Sequence, residues 1–448
     1  MSTVVAEHFR TLLAGGDHGR LKTELEDLHP ADIADALAGL SDDEAVAVLA
    51  TVPDLAPAVI EHLPAERQET LLRRLGPNQA SDVLEEMASD EAADLLGELP
   101  AAEAEQFLKA MEPEDAADVR ELLAYPPQSA GGLMATEVVT VSADGTVGDA
   151  MARLQSIAPD AETIYYVYVV DAHTRLAGVV SLRDLILALP DAPLSTVTRT
   201  NVVSARVDDD QEAVARAFEK YRLQALPVVD AGNRLRGVVT VDDIIHVVTE
   251  EASEDAYKLA GLVEEVETLD SPVTRAAKRL PWLLAMLVVE GVAARVIGGF
   301  EHALAAVIAL AYYIPVVTDM AGVMGIQSVA VSVRSIATGE VDRRTYRQLI
   351  LRESLVGVTA GIASGVAALG VTLALQGDLL LGITVGLTLA IVMAVAALLG
   401  STAPLVLTTM RKDPAVASGP FVTSSMDVVT ILIYFAMAAL ILRGRLGG

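Results

Sequence analysis

The sequence predicts a multidomain membrane protein: an all-α superhelical N-terminal domain, an α/β tandem, a connecting amphipathic helix and a five-helix α transmembrane domain. Three observations predict it. A net charge of −29 coexists with a mean hydropathy of +0.44. Division at Arg279 explains the pair, with 22 Lys/Arg against 52 Asp/Glu before Leu280 and 10 against 9 from there onward. The neutral part holds five long apolar stretches, and the acidic part holds two internal repeats of different length.

The acidic part begins with "MSTVVAEHFRTLLAGG", which lacks the apolar core of a signal peptide, so this part is expected to stay in the cytosol. From His29 to about Tyr125 short units recur, such as "HPADIADALAGL" and "SDEAADLLGEL". Each has apolar residues at helical spacing and ends at a Pro, Gly, Ser or Asp. Units this short cannot bury a face alone and should stack as an array. Acids crowd the helix starts, as at Ser89-Asp90-Glu91. A cap with first-turn acids accounts for any one of them through the helix dipole; cation binding is the other reading.

The second repeat pairs "YVYVVDAHTRLAGVVSLRDLI" with "ALPVVDAGNRLRGVVTVDDII", and Gly178 lies 59 residues before Gly237. Each copy reads strand, turn, strand, then Ser181-x-x-Asp184 or Thr240-x-x-Asp243 opening a helix. A hydroxyl and a carboxylate at such a turn can hold a ribose, or can simply be an N-cap with its early acid.

The apolar stretches run roughly over 281–300, 303–325, 353–375, 379–409 and 419–442, each near or above the ~20 residues that a span needs. Arg275, Lys278 and Arg279 precede the first. Arg334, Arg343, Arg344, Arg347 and Arg352 separate the second from the third, and Arg411 and Lys412 the fourth from the fifth. The alternate loops have no Lys or Arg. This places the N-terminal part inside and the C-terminus outside, with Arg443 and Arg445 as a contrary signal. Gly357, Gly361 and Gly365 stand four apart, a spacing that suits close helix packing more than a pore lining.

Glu290, Asp319 and Asp427 are the intramembrane acids. Glu290 has Arg295 on its own span and is expected to pair with it. Asp319 lies in "IPVVTDMAGVMGIQS", interrupted by Pro315, Gly322 and Gly325; broken backbone at that depth is tolerated where protein covers it or it lines a wet cavity. Asp427 follows Thr423, Ser424 and Ser425 in a span without a basic residue. An isolated carboxylate there is costly, and an external cation is its natural compensation; a hydrogen bond to a neighbouring helix is the plainer one.

The paired "GVVSLRD" and "GVVTVDD" segments resemble a tandem of CBS domains, a Bateman module, which commonly binds adenosine nucleotides. The order of acidic helical repeat, CBS pair and five spans resembles the MgtE-type magnesium channels. "AGGLM", "APDAETIYY", "LPVVD", "ASEDAYKL", "SVRSIATGEVD" and "DPAVAS…MDVVT" carry the likeness over nearly the whole chain. The division this implies is 1–128 acidic helical domain, 129–250 CBS pair, 251–279 connecting helix and 280–448 pore domain. The resemblance implies a homodimer in the bilayer that passes Mg²⁺ down its gradient, with a pore at Asp427, Thr423, Asp319, Gly322 and Gln327. It implies regulatory Mg²⁺ at Asp90, Asp94 and Asp243, and at Glu251, Glu254, Asp255 and Asp413, whose occupancy closes the pore. ATP or another adenosine nucleotide would meet Tyr166, Ser181, Arg183 and Asp184.

The chain departs from the family pattern at Val323 and Gly419, where members often carry Asn, and at Ile326, where another polar residue is common. Arg222 and His246 stand where some members have carboxylates. Transport of Co²⁺, Mn²⁺ or Ni²⁺, and a membrane-anchored sensor that transports nothing, are the competing readings. The absence of Cys and of close His pairs argues against soft-metal cargo. A net acidic charge argues against nucleic acid. No nucleophile with its base and no phosphate-binding Gly-Lys loop is legible, so an enzyme is not expected.

Overall fold

The computed structural model describes residues 2–157, 165–262, 271–341, 344–410, 413–416 and 419–446. Most of "APDAETIYY", together with Arg343, Arg411 and Lys412, falls outside them. Two compact units are present, residues 1–248 and 249–448.

The first unit opens with nine helices, α1 (Ser2–Ala14), α2 (His18–Glu26), α3 (Pro30–Leu37), α4 (Asp42–Leu49), α5 (Ala56–Glu61), α6 (Ala65–Glu85), α7 (Ser89–Gly97), α8 (Ala101–Ala110) and α9 (Pro113–Leu122). Their apolar stripes share one core that includes Leu37, Val48, Leu72, Leu84 and Leu96. Two sequence units merge in α6, which kinks at Gly76, where φ is 78°. Caps explain a few of the acids: Asp17 accepts from the Arg20 N–H at the start of α2. Ser41 and Glu44 form a capping box that opens α4. Arg10 pairs with Glu44, whose carboxyl this bond, with those from Ser41, holds at about 2. Ser89 is different: it is the first residue of α7 rather than its cap, and its hydroxyl bonds Glu137 at 2.8 Å and accepts from the Thr136 N–H at 3.0 Å.

The α/β tandem follows as β1 (Thr140–Ser142), α10 (Val147–Ile157), β2 (Tyr166–Val170), β3 (Leu176–Ser181) and α11 (Leu182–Leu187). Its second copy is β4 (Ala205–Arg206), α12 (Gln211–Tyr221), β5 (Ala225–Val229), β6 (Leu235–Thr240) and the start of α13 (Val241–Leu259). The copies have the same topology: a parallel pair β1-β2 or β4-β5, then an antiparallel pair β2-β3 or β5-β6. Register matches as well, with Val169 opposite Gly178 and Val228 opposite Gly237, and a shift after each pair. The intervening turns repeat in detail. Asp171 Oδ1 accepts from the N–H groups of His173 and Arg175, and Asp230 Oδ1 from those of Gly232 and Arg234. Thr174 and Asn233 take the left-handed conformation at equivalent places. The two turns bond each other through Leu176 N–H to Asn233 O, 2.9 Å, and Leu235 N–H to Thr174 O, 3.1 Å.

In the second unit five helices among the described residues are long and apolar enough to cross a membrane: α14 (Pro272–Gly298), α16 (Ala309–Ala337), α17 (Tyr346–Gln376), α18 (Leu379–Thr409) and α19 (Gly419–Ile441). A short α15 (Glu301–Ala306) links the first two, and α20 (Arg443–Leu446) closes the described chain. Gly357, Gly361 and Gly365 are buried against α18, facing Ala397 and Met393, Ala390, and Gly386 respectively. They serve close helix packing, as their spacing suggested. The Tyr434 hydroxyl of α19 donates to Leu310 O of α16 at 3.0 Å, satisfying both buried groups.

Candidate functional site

Helices α16 and α19 meet where glycines remove the side chain. A Cβ on Gly322 would lie 2.7 Å from the Thr423 methyl, and one on Gly325 would lie 2.9 Å from Val422. Hydrogen in place of Cβ lets α19 approach and brings Thr423 onto the backbone of α16. Asp427 stands one turn beyond Thr423, and Asp319 three residues before Gly322. The Asp427 carboxyl has the side chain of Glu290, on α14, within hydrogen-bonding reach, and Asp319 close enough to repel it. The expected Glu290–Arg295 pair does not form. Five residues apart, the two project about 140° from one another around a helix of 3.6 residues per turn. Among the described residues none of the three acids pairs with Lys, Arg or His.

Asp319, Val323, Ile326 and Gln327 recur at helical spacing on α16, all exposed, Val323 and Ile326 by 43% and 42%. Gln327 lies two turns along this face from Asp319. Structure thus brings Asp427, Thr423, Gly322 and Asp319 together, with Gln327 further along the same helix.

The acids of the first unit gather around Glu91 of α7. Burial, followed by the charges of Glu61, Asp94, Asp243 and Asp242, pushes Glu91 up to about 7. Asp90, one residue earlier, is 5% exposed, whereas Asp94 is exposed. Asp243 accepts from the Thr240 N–H at 2.9 Å and its hydroxyl at 2.6 Å, yet burial still raises it above the usual carboxylate range. Sequence reasoning singled out Asp90, Asp94 and Asp243, named Glu91 only among the acids that crowd a helix start, and missed Glu61 and Asp242. Among the described residues no three His, Asp or Glu side chains converge on one metal-sized position.

In the second unit Glu251, Glu254 and Asp255 lie on the last turns of α13, and Asp413 on the loop after α18. A lysine joins two of them: Lys258 bonds both Glu254 and Asp413. The i,i+4 spacing of Glu254 and Lys258 was a readable signal; the reach to Asp413 was not.

The tandem contains a cavity of about 170 Å³ lined by residues that include Tyr166, Tyr168, Ser181, Arg199, Asn201 and Pro227. Ser181 caps α11 by accepting from the Asp184 N–H at 3.1 Å, and the Asp184 carboxylate pairs with Arg199 at 3.2 Å. Arg183 is exposed on the first turn of α11. The Tyr168 hydroxyl is buried and has no hydrogen-bond partner among the described residues. Burial pushes that phenol up, so it stays a neutral donor. An aromatic wall, an acid paired with arginine and an orphan hydroxyl suit an adenosine nucleotide.

Magnesium transporter MgtE of Bacillus subtilis (strain 168) is 36% identical over 429 residues, 95% of each chain. The chain belongs to the MgtE family. The MgtE transporter of Thermus thermophilus is 37% identical over 450 residues, 99% of this chain and 100% of its own. The MgtE family profile, a divalent cation transporter, matches residues 314–437; the MgtE intracellular N domain matches 28–128, and CBS domains match 130–191 and 194–250. A solved structure, the cytosolic domain of the Mg²⁺ channel MgtE in complex with ATP, aligns with TM-score 0.52 and 40% identity. It covers 54% of this chain and 99% of its own. The acidic N domain, CBS pair and five-helix membrane part are therefore those of a multi-pass MgtE transporter with a cytosolic N domain, not of an enzyme.

Proposed function

We propose that the chain is a Mg²⁺ channel that carries the ion down its electrochemical gradient into the cytosol. Its path runs past Asp427, Thr423, Asp319, Gly322 and Gln327, and Glu290 belongs beside them. The observation that carries this reading is the meeting of Asp427 with Glu290 and Asp319 inside the membrane unit, with no ion pair to a basic side chain among the described residues. Carboxylates so placed are tolerated when a cation passes among them. Mg²⁺ dehydrates reluctantly and prefers six near-octahedral oxygens, so carboxylates that hold its water shell suit it better than a closed protein cage. Val323 and Ile326 make the α16 face between Asp319 and Gln327 apolar, which leaves more of the coordination to water and to Asp427.

The exposed Asp319–Gln327 face supports a homodimer, with the path between the copies. Four parts are proposed, 1–128, 129–250, 251–279 and 280–448. Five candidate spans after a cytosolic start support a C-terminus outside. Regulation follows from charge. Asp90, Asp94 and Asp243, with Glu91, repel one another until Mg²⁺ screens them, and Glu251, Glu254, Asp255 and Asp413 do the same around Lys258. High cytosolic Mg²⁺ then shifts the population toward a closed state. An adenosine nucleotide at Tyr166, Ser181, Arg183 and Asp184, with Tyr168 and Arg199, modulates that balance.

The test is Mg²⁺ influx into proteoliposomes for the parent and for Asp427→Ala, with Co²⁺, Mn²⁺ and Ni²⁺ in parallel. Flux that vanishes in the variant supports the reading. Equal flux removes Asp427 from the path, and stronger Co²⁺, Mn²⁺ or Ni²⁺ flux reassigns the cargo.

A further inference from the structure

An open groove of about 730 Å³ runs between α14, α18 and α19, lined by Trp282, Met286, Val289, Val406, Val422 and Met426 among others. Among the described residues no acid lines it. On α14 the lining positions recur every three or four residues. The same face continues toward the helix start through Lys278, with Arg279 beside it, to Arg275. Lys278 and Arg275 are half-buried and Arg279 is exposed.

Depth decides what fits. At 1.5 Å per residue, Trp282 to Val289 covers about 10 Å of helix, and Arg275 lies about 10 Å further out. Half of the hydrocarbon core is about 15 Å thick. The start of α14 faces the cytosol, because it follows the intracellular N domain and the CBS pair. Trp282 therefore sits at the inner interface, where tryptophan concentrates, and Val289 nears the midplane.

We propose that this groove holds an acyl chain of an anionic phospholipid from the cytosolic leaflet, its headgroup phosphate set against Arg275, Lys278 and Arg279. Basic positions at the cytosolic ends of membrane helices attract such headgroups. Charge complementarity favours this occupant over a second copy, since a helix laid in an apolar groove needs no cluster of cations at its mouth. The occupant touches Val422 and Met426, which flank Thr423 and precede Asp427, so lipid identity reaches the helix that carries the intramembrane acid.

Trp282 is the sole tryptophan of the chain, which makes it a clean reporter. The full chain is reconstituted with increasing fractions of dibrominated phosphatidylglycerol or dibrominated phosphatidylcholine, whose bromines quench indole on contact. Half-maximal quenching is expected at a several-fold lower fraction of the anionic lipid. The triple variant R275Q/K278Q/R279Q should lose that preference while phosphatidylcholine quenches it as before, which also shows that it is folded. Equal quenching of the parent by both lipids would mean ordinary surrounding lipid and overturn the proposal. Quenching by neither would put a second copy over the groove and overturn it too. A preference that survives in the triple variant would refute the headgroup assignment.

Discussion

Gly357→Ala adds one methyl to the seam between α17 and α18. That Cβ would lie 2.5 Å from Ala397 Cβ, 2.8 Å from Met393 O and 3.1 Å from Ala394 Cα. All three are fixed to the backbone of α18, so no side chain can swing away. Carbon atoms rest at about 3.5–4.0 Å, and the helices must therefore separate by roughly 1 Å at this point. A gap of that size forfeits a quarter to a half of each dispersion contact along the seam, which Gly361 and Gly365 extend. Overpacking of this kind costs about 1–3 kcal/mol, while Ala in place of Gly returns up to about 1 kcal/mol of helix propensity. Gly370 lies on the same helix with nothing within 4 Å of its Cβ position, so Gly370→Ala keeps the gain without the clash. The propensity gain is common to both, so the two variants should differ by the overpacking cost, about 1–3 kcal/mol. At ~2–4 °C per kcal/mol for a domain of this size, their melting temperatures in detergent should lie roughly 2–12 °C apart, Gly357→Ala below the parent. Coincident melting curves would refute the packing argument and return the glycine face to a pore-lining role.

Two further outcomes concern the cytosolic domain. Glu91 titrates at about 7 when folded, against an ordinary 4.5, so the folded chain holds the extra proton between those values and its stability falls as pH rises through that window. In the proposed regulation Mg²⁺ must displace this proton; closure followed by protease protection should then need about tenfold more Mg²⁺ at pH 6 than at pH 8, and Glu91→Gln should flatten the difference. A parent that closes at one Mg²⁺ concentration at both pH values excludes Glu91 from the sensor. Tyr168→Phe removes a buried hydroxyl that has no partner among the described residues, so the nucleotide-free protein should gain about 1 kcal/mol. ATP binding measured by calorimetry should weaken about five- to tenfold, and unchanged affinity would show that the hydroxyl never meets the nucleotide.

The long elements were legible because each rests on a local pattern. Apolar length gives the five membrane helices, and a 59-residue repeat gives two copies of one α/β unit that agree down to the shift after Val169 and Val228. Asp427 stood out for a similar reason, as a lone charge in a run that otherwise suits hydrocarbon. Close packing of Gly357, Gly361 and Gly365 was readable from their spacing alone.

What the sequence by itself determined, then, is which segments cross the bilayer, which repeat, and where a charge is out of place. Those follow from periodicity and transfer free energy, which are properties of neighbours along the chain. Only the tertiary structure decided which groups share a site. Glu290 turns to Asp427 instead of Arg295, Lys258 reaches Asp413 across 155 residues, and Glu91 becomes the centre of an acidic group drawn from α5, α7 and α13. Ser89 leaves its expected cap for Glu137. Each of these depends on the rotation of one helix about its axis against another. That rotation is set by the summed packing of many side chains, so no short stretch of sequence encodes it.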